Sequence, residues 1–144
     1  MSAKEKVFDN PTGSVKSHID AYVKSNGTEG HLWRGLPTLL LTTRGCKSGK
    51  LRRTALIYGQ DGKNYLLVAS NGGALNHPSW YLNLVKDAEV EIQVGADKFV
   101  ARAHTATKKE KPRLWKLMSK IFPRYDIYQA KAGRDIPLVI VKPI

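Results

Sequence analysis

Cysteine is almost absent: Cys46 stands alone, so neither an intrachain disulfide nor a cysteine-based zinc site can be assembled. Long hydrophobic runs are missing as well, and no stretch approaches the roughly 20 apolar residues that a spanning helix needs. The start, Met1-Ser2-Ala3-Lys4-Glu5-Lys6, is polar and carries no apolar h-region, so a secretory signal peptide is not expected. Acidic residues are scarce, 12 against 24 basic ones, which leaves a formal net charge of +12. Motifs of known chemistry are also thin. Gly45 to Lys50 superficially resembles a phosphate loop, but it lacks G-x-x-x-x-G-K-[ST] and joins two predicted strands rather than a strand and a helix. No G-x-G-x-x-G follows a strand. His18, His31, His77 and His104 are scattered without metal-ligand spacing, and no Ser, His and acid fall into a hydrolase motif. Cys46 lies near Arg44 and Lys47, which can lower a thiol pKa, yet one thiol in a turn reads as incidental to catalysis.

What is present is a chain of 144 residues, 42% hydrophobic, long enough for one domain that buries roughly two-thirds of its unfolded surface. We therefore expect a soluble, cytoplasmic, basic protein. The first dozen residues read as a loose tail. Val15, Ile19, Tyr22 and Val23 then form one apolar stripe at helical spacing, ended by Asn26-Gly27. The flanking lysines leave peripheral membrane contact through this helix open. Strands are predicted over Pro37–Thr43, Leu51–Tyr58, Tyr65–Ser70, Val90–Val94, Phe99–Thr105 and Ile136–Val141. A helix follows Pro78, and another carries Leu114, Leu117, Met118, Ile121 and Phe122 behind a capping box of Thr107 and Glu110. Turns as short as Asp61-Gly62 and Gly95-Ala96-Asp97 demand antiparallel neighbours. The pattern predicts a mainly β, α+β fold: a small antiparallel barrel with helices outside it.

A charge of +12 attracts anions. Arg44, Lys47, Lys50, Arg52 and Arg53 fall in a stretch without an acid and among glycines, whose backbone amides can also face an anion. A second cluster, Lys108 to Arg124, reads equally as a solvated helix face. Lys47 and Arg52 can hold the anionic end of a ligand, the small residues of Ala69-Ser70-Asn71-Gly72-Gly73 let it approach the backbone, and Trp80 and Tyr81 supply an apolar wall. The residues alone thus give a basic barrel with a site for an anionic small molecule. Nucleic acid is not expected as a partner, since neither an aromatic stacking platform nor a helix-turn-helix is present.

Leu-Leu-Thr-Thr-Arg-Gly-Cys-Lys-Ser-Gly (40–49), Arg52, the Ala69–Gly73 and Pro78–Leu84 blocks, and the tail from Phe122 to Pro137 resemble the deazaflavin-dependent nitroreductase family of actinobacteria. The resemblance runs from Leu36 to Pro143. It implies a split β-barrel of the flavin-reductase and pyridoxamine-phosphate-oxidase kind, over residues 31–144, preceded by a tail and amphipathic helix over 1–30. It implies coenzyme F420, a deazaflavin with a phosphate and a polyglutamate tail, as the reduced hydride donor to quinones, nitroaromatics or other electron-poor small molecules. The coenzyme-binding residues it implies are Cys46, Lys47, Ser48 and Arg52 with Arg53 for the phosphate and tail. Thr54, Ala55, Leu56, Ile57, Val68, Ala69, Ser70 and Asn71 would line the ring, and Ser79, Trp80, Tyr81, Leu82 and Asn83 would close the pocket. Tyr125, Ser70 and Tyr128 are the implied catalytic residues on the acceptor side. Three positions depart from the family pattern: Cys46 and Asn71 stand where basic residues are frequent, and Phe122 where the nitroreductase has tyrosine. The competing expectation is a non-catalytic split-barrel carrier of F420 or of a lipophilic ligand such as a fatty acid. Whether flavin mononucleotide competes for the site, and in what oligomeric state, the sequence leaves open.

Overall fold

The apolar alternation resolves, in a computed structural model that describes residues 5–144, into nine strands and four α-helices. The first four residues of the expected tail lie outside the described residues. In chain order the elements are β1 (Val7–Asp9), α1 (Gly13–Lys24), β2 (Leu32–Trp33), β3 (Leu36–Arg44), β4 (Leu51–Ile57), β5 (Gly59–Asp61) and β6 (Asn64–Val68). A 3-10 turn (Asn71–Gly73) leads to α2 (Ser79–Lys86), β7 (Glu89–Val94), β8 (Asp97–Thr105), α3 (Lys111–Ile121), α4 (Arg124–Ala132) and β9 (Leu138–Pro143). Hydrogen bonding orders the sheet β1-β4-β3-β7-β8-β9-β6-β5, with β2 added to β3. The short turns do produce antiparallel pairs, as chain reversal requires. The exception is β1, which runs parallel to β4 with Val7 opposite Leu51 and Asp9 opposite Arg53.

Residues distant along this path meet in one core. Leu39 and Leu41 of β3, Leu67 of β6, Val90 and Ile92 of β7, Ala101 and Ala103 of β8, and Val139 and Val141 of β9 pack together. Only a curled sheet brings both flanks into one interior. Outside it, Leu66, Leu138 and Ile140 of the opposite face meet Leu114, Met118 and Tyr125 of α3 and α4. A third contact seats Ile19 and Tyr22 of α1 on Leu40, with Ala55 beside them. The runs Leu39–Leu41 and Leu138–Ile140 do not alternate with polar residues because both faces of these strands are covered.

The caps behave as read. Gly27, with φ of 82°, ends α1 by returning its N–H to the Tyr22 carbonyl at 2.8 Å. Thr107 and Glu110 form a reciprocal capping box at 3.0 and 3.2 Å ahead of α3. The structure departs from the sequence reading at four places. Residues 7–9, read as tail, are a strand because β4 offers them an edge. Leu32 and Trp33 are a strand through pairing with Leu36 and Pro37. The segment after Phe122 forms a fourth helix, which Pro123 opens and left-handed Gly133 closes. The last strand starts at Leu138, later than expected.

Candidate functional site

Two cavities adjoin along β4. The first, about 420 Å³, is lined by Gly45, Cys46, Lys47, Ser48, Arg52, Arg53 and Thr54, and by Ser79, Trp80, Leu82 and Asn83 of α2. The second, about 300 Å³, begins where the first ends on the strand: Ala55, Leu56 and Ile57, then Val68, Ser70, Phe122, Tyr125 and Tyr128. A division seen only as sequence blocks is thus a spatial one, a basic chamber beside an aromatic chamber.

The basic chamber is shaped by a tight turn. Gly45 donates to Lys50 O and accepts from Gly49 N–H, both at 2.8 Å, and a Cβ on Gly45 would lie 2.6 Å from Ser48 Oγ. Asn83 fastens this turn to α2. Its Oδ1 accepts from Cys46 N–H at 2.9 Å, and its Nδ2 donates to Thr43 Oγ1 at 3.0 Å. Both ends of the buried amide are therefore committed to holding the turn. Lys86 Nζ donates to Cys46 O at 3.0 Å. The neighbouring arginines differ in what they are free to do. Arg53 is locked to Asp9 of β1 at 2.5 and 3.1 Å, and Arg44 is bound by Glu5. Lys47 and Arg52 make no ion pair among the described residues. Arg52 stacks at 5.5 Å on Phe8, and Lys50 at 5.0 Å on the same ring.

Strand geometry opens one edge at the junction of the chambers. Asn10 N–H donates to Arg53 O at 2.8 Å, which ends the β1–β4 pairing. Backbone groups alternate sides along a strand, so Ala55 and Ile57 present their N–H and C=O groups to the same edge as Arg53, beyond the end of β1. Among the described residues no strand covers them.

In the aromatic chamber, Tyr125 is 5% exposed and Ser70 8%. Neither hydroxyl has a hydrogen-bond partner among the described residues, although both line the cavity. Burial, and secondarily Tyr128, pushes the Tyr125 phenol well above its ordinary pKa, so it stays a proton-bearing donor. Phe122 packs edge-on against Tyr125 at 5.0 Å.

Three residues named from sequence line neither cavity. Ala69 is in the barrel core, Tyr81 bonds Thr105 Oγ1 at 2.8 Å, and Asn71 Nδ2 donates to Asn76 O at 3.0 Å. Sequence reasoning missed Phe8, Asp9 and Asn10 at the basic chamber, and Val15, His18 and Trp33 at the aromatic one. The first group arrives only through long-range strand pairing. His18 and Trp33 carried a local signal, a histidine on the α1 stripe and an aromatic before a glycine turn, with nothing to say which cavity they face. Among the described residues no His, Cys, Asp and Glu cluster could hold a metal ion. Among the described residues no helix is long and apolar enough to cross a membrane.

Comparison with known proteins places this architecture. A family described as F420H(2)-dependent quinone reductase matches residues 14–143. An F420H(2)-dependent quinone reductase of Mycobacterium tuberculosis is 38% identical over 131 residues, 88% of this chain and 88% of that protein. The solved F420-H2 dependent reductase FDR-A superposes with a TM-score of 0.68 at 38% identity, over 74% of this chain and 94% of that one. A domain-swapped dimer superposes at 0.71 with 34% identity, over 92% and 100% of the two chains. A pyridoxamine 5'-phosphate oxidase-like protein of Listeria innocua, 14% identical with a TM-score of 0.52, over 74% of this chain and 82% of that one, shares the fold alone. The curled sheet is thus the expected split barrel.

Proposed function

The chain belongs to the F420H(2)-dependent quinone reductase family, and from that membership we propose that it passes a hydride from reduced coenzyme F420 to a quinone or a similar electron-poor small molecule, nitroaromatics included. The observation that carries this reading is the junction on β4 between a basic, glycine-walled chamber and an aromatic one with two unpaired hydroxyls. A ligand with a polyanionic end and a planar ring needs such a sequence of surfaces.

The residues present fit the coenzyme. Lys47, Ser48 and Arg52 would hold its phosphate and tail through charge-assisted hydrogen bonds. The backbone edge at Ala55 and Ile57 matches the donor and acceptor rim of a flavin-like ring, and Trp80 and Leu82 add an apolar wall. When bound, the reduced coenzyme supplies a hydride from its ring carbon C5. The protein's part is to bind, orient and exclude water. Tyr125, kept protonated by burial, would donate to the acceptor oxygen as negative charge develops there, and Ser70 would add a second donor from the facing wall. Tyr128 would complete the aromatic surface on the acceptor side.

The test is a fluorescence titration with F420 and, separately, with flavin mononucleotide, followed by oxidation of bound F420H2 with menadione. Binding of F420 and menadione-dependent oxidation are expected. Failure to bind F420 overturns the reading in favour of a carrier of another ligand, and F420 binding without oxidation favours a carrier of the coenzyme.

A further inference from the structure

Arg134 lines neither chamber, yet it makes five side-chain hydrogen bonds among the described residues. Its Nε donates to Ala74 O at 3.0 Å, Nη1 to His77 Nδ1 at 3.0 Å, and Nη2 to the carbonyls of Ala69, Ser70 and Asn76 at 3.3, 2.9 and 3.2 Å. All five acceptors lie in the segment 69–77, which carries Ser70. That segment has an unusual backbone: Asn71, Gly72 and Gly73 have φ values of 49°, 64° and 82°. Left-handed residues in succession are held only when their surroundings fix them. Here the guanidinium gathers carbonyls from both sides of the bend. No carboxylate takes part, and the neighbouring Asp135 pairs instead with Lys111 at 3.6 Å.

The arginine is itself held from the opposite wall of the aromatic chamber. Gln129 of α4 donates to Arg134 O at 2.7 Å and accepts from Ile136 N–H at 2.9 Å. Helix α4 carries Tyr125 and Tyr128. A Cβ on Gly73 would lie 3.1 Å from the Tyr128 Cα, so the two walls also meet by direct packing.

We propose that Arg134 is a positioning residue that sets Ser70 against Tyr125 by clamping the left-handed segment to α4, and so fixes the geometry of the acceptor site. The inference rests on the reductase reading above and on Ser70 acting in it. Lysine keeps the charge but has no planar fork to reach carbonyls on both sides. A shift of a positioned hydroxyl by an ångström is costly: misplacement on that scale can slow a reaction by on the order of 10²-fold.

The experiment compares wild type, R134A, R134K, S70A and the double variant R134A/S70A for F420 affinity, melting temperature, kcat and acceptor KM. R134A is expected to bind F420 within about threefold of wild type, since the basic chamber is untouched, while kcat/KM for menadione falls at least tenfold. R134K should fare no better, and guanidinium chloride at millimolar levels should partly restore R134A. Because Arg134 acts through Ser70, adding R134A to S70A should cost little more than S70A alone. Additive losses, an inert S70A beside a damaged R134A, or a uniform fall in affinity, melting temperature and turnover without guanidinium rescue would overturn the proposal. If R134A does not fold, H77A removes one of the five bonds and is expected to show the same selective loss to a smaller extent; unchanged turnover there overturns it. Wild type that neither binds F420 nor oxidises F420H2 refutes the reductase reading instead.

Discussion

Lys47, Lys50 and Arg52 are the cations of the basic turn with no ion pair among the described residues, and of these Lys47 and Arg52 line the basic chamber, whereas Arg44 and Arg53 are tied to Glu5 and Asp9. Lys47→Ala and Arg52→Ala are each expected to weaken F420 binding by about 1–3 kcal/mol, read by titration. Arg53→Ala should act through β1 rather than through the ligand. Tyr125→Phe removes a hydroxyl that bonds nothing among the described residues, so it should lower turnover while F420 affinity and melting temperature hold. His77 gives a pH dependence. Burial, then the Arg134 charge, holds its imidazole below the ordinary value of 6.5. A histidine with a depressed folded pKa resists the proton that the unfolded chain accepts. Stability is therefore full above about pH 6.5 and declines as the pH falls through that unfolded value. Urea midpoints at pH 7.5 and 5.5 should show the drop, and His77→Gln should reduce it.

Among the elements, α1 depends on one side chain. The Tyr22 hydroxyl donates to the carbonyls of Thr38 and Gln93 at 3.1 and 3.2 Å and accepts from Gly95 N–H at 2.6 Å, tying the helix to β3 and the β7–β8 turn. Tyr22→Phe leaves those groups short of a partner in a buried place and should cost about 1–3 kcal/mol in chemical denaturation. The sequence showed Tyr22 as one member of an apolar stripe and gave no sign of this polar anchor. Elements whose patterns are local were legible: β7 alternates, α3 has its capping box and apolar stripe, and the Asp61-Gly62 turn joins β5 to β6. The short α4 was not, because only Tyr125 and Ala132 are buried on it and no apolar period emerges. Nor was β1, since three residues become a strand only when β4 lies alongside. The two chambers follow the same rule. Resemblance named most of the lining, but the wall formed by Phe8, Asp9 and Asn10 arises from pairing across 44 residues of chain, as the Asn10–Thr54 contact shows.

For the molecule as a whole, the +12 charge sets a field around the basic chamber. The acids among the described residues are partly consumed in ion pairs such as Asp61–Arg113 and Asp9–Arg53, which leaves the excess positive charge on the surface. F420 affinity should therefore fall as salt rises from about 0.1 to about 1 M, because the Debye length shrinks from about 10 Å to about 3 Å. Binding of menadione, which is uncharged, should change far less, as steady-state KM values at the two salt levels would show. The barrel interior and the α3–α4 layer share β6 and β9, and the acceptor chamber joins Val68 of β6 and the aromatic residues Phe122, Tyr125 and Tyr128 of that layer to the wall formed by β4. That footing suits a site whose two walls must keep their spacing.

The uncovered stretch of β4 also bears on solubility. A sheet margin with free amides and carbonyls is a template on which a second chain can lay a further strand. Here the margin is only a few residues long, lies between a cationic turn and a wall of aromatic rings, and β1 stops short of sealing it. A flat ligand seated there would do for the sheet what a last strand does elsewhere: it would end the sheet, so that the molecule is least prone to self-association when its coenzyme is in place.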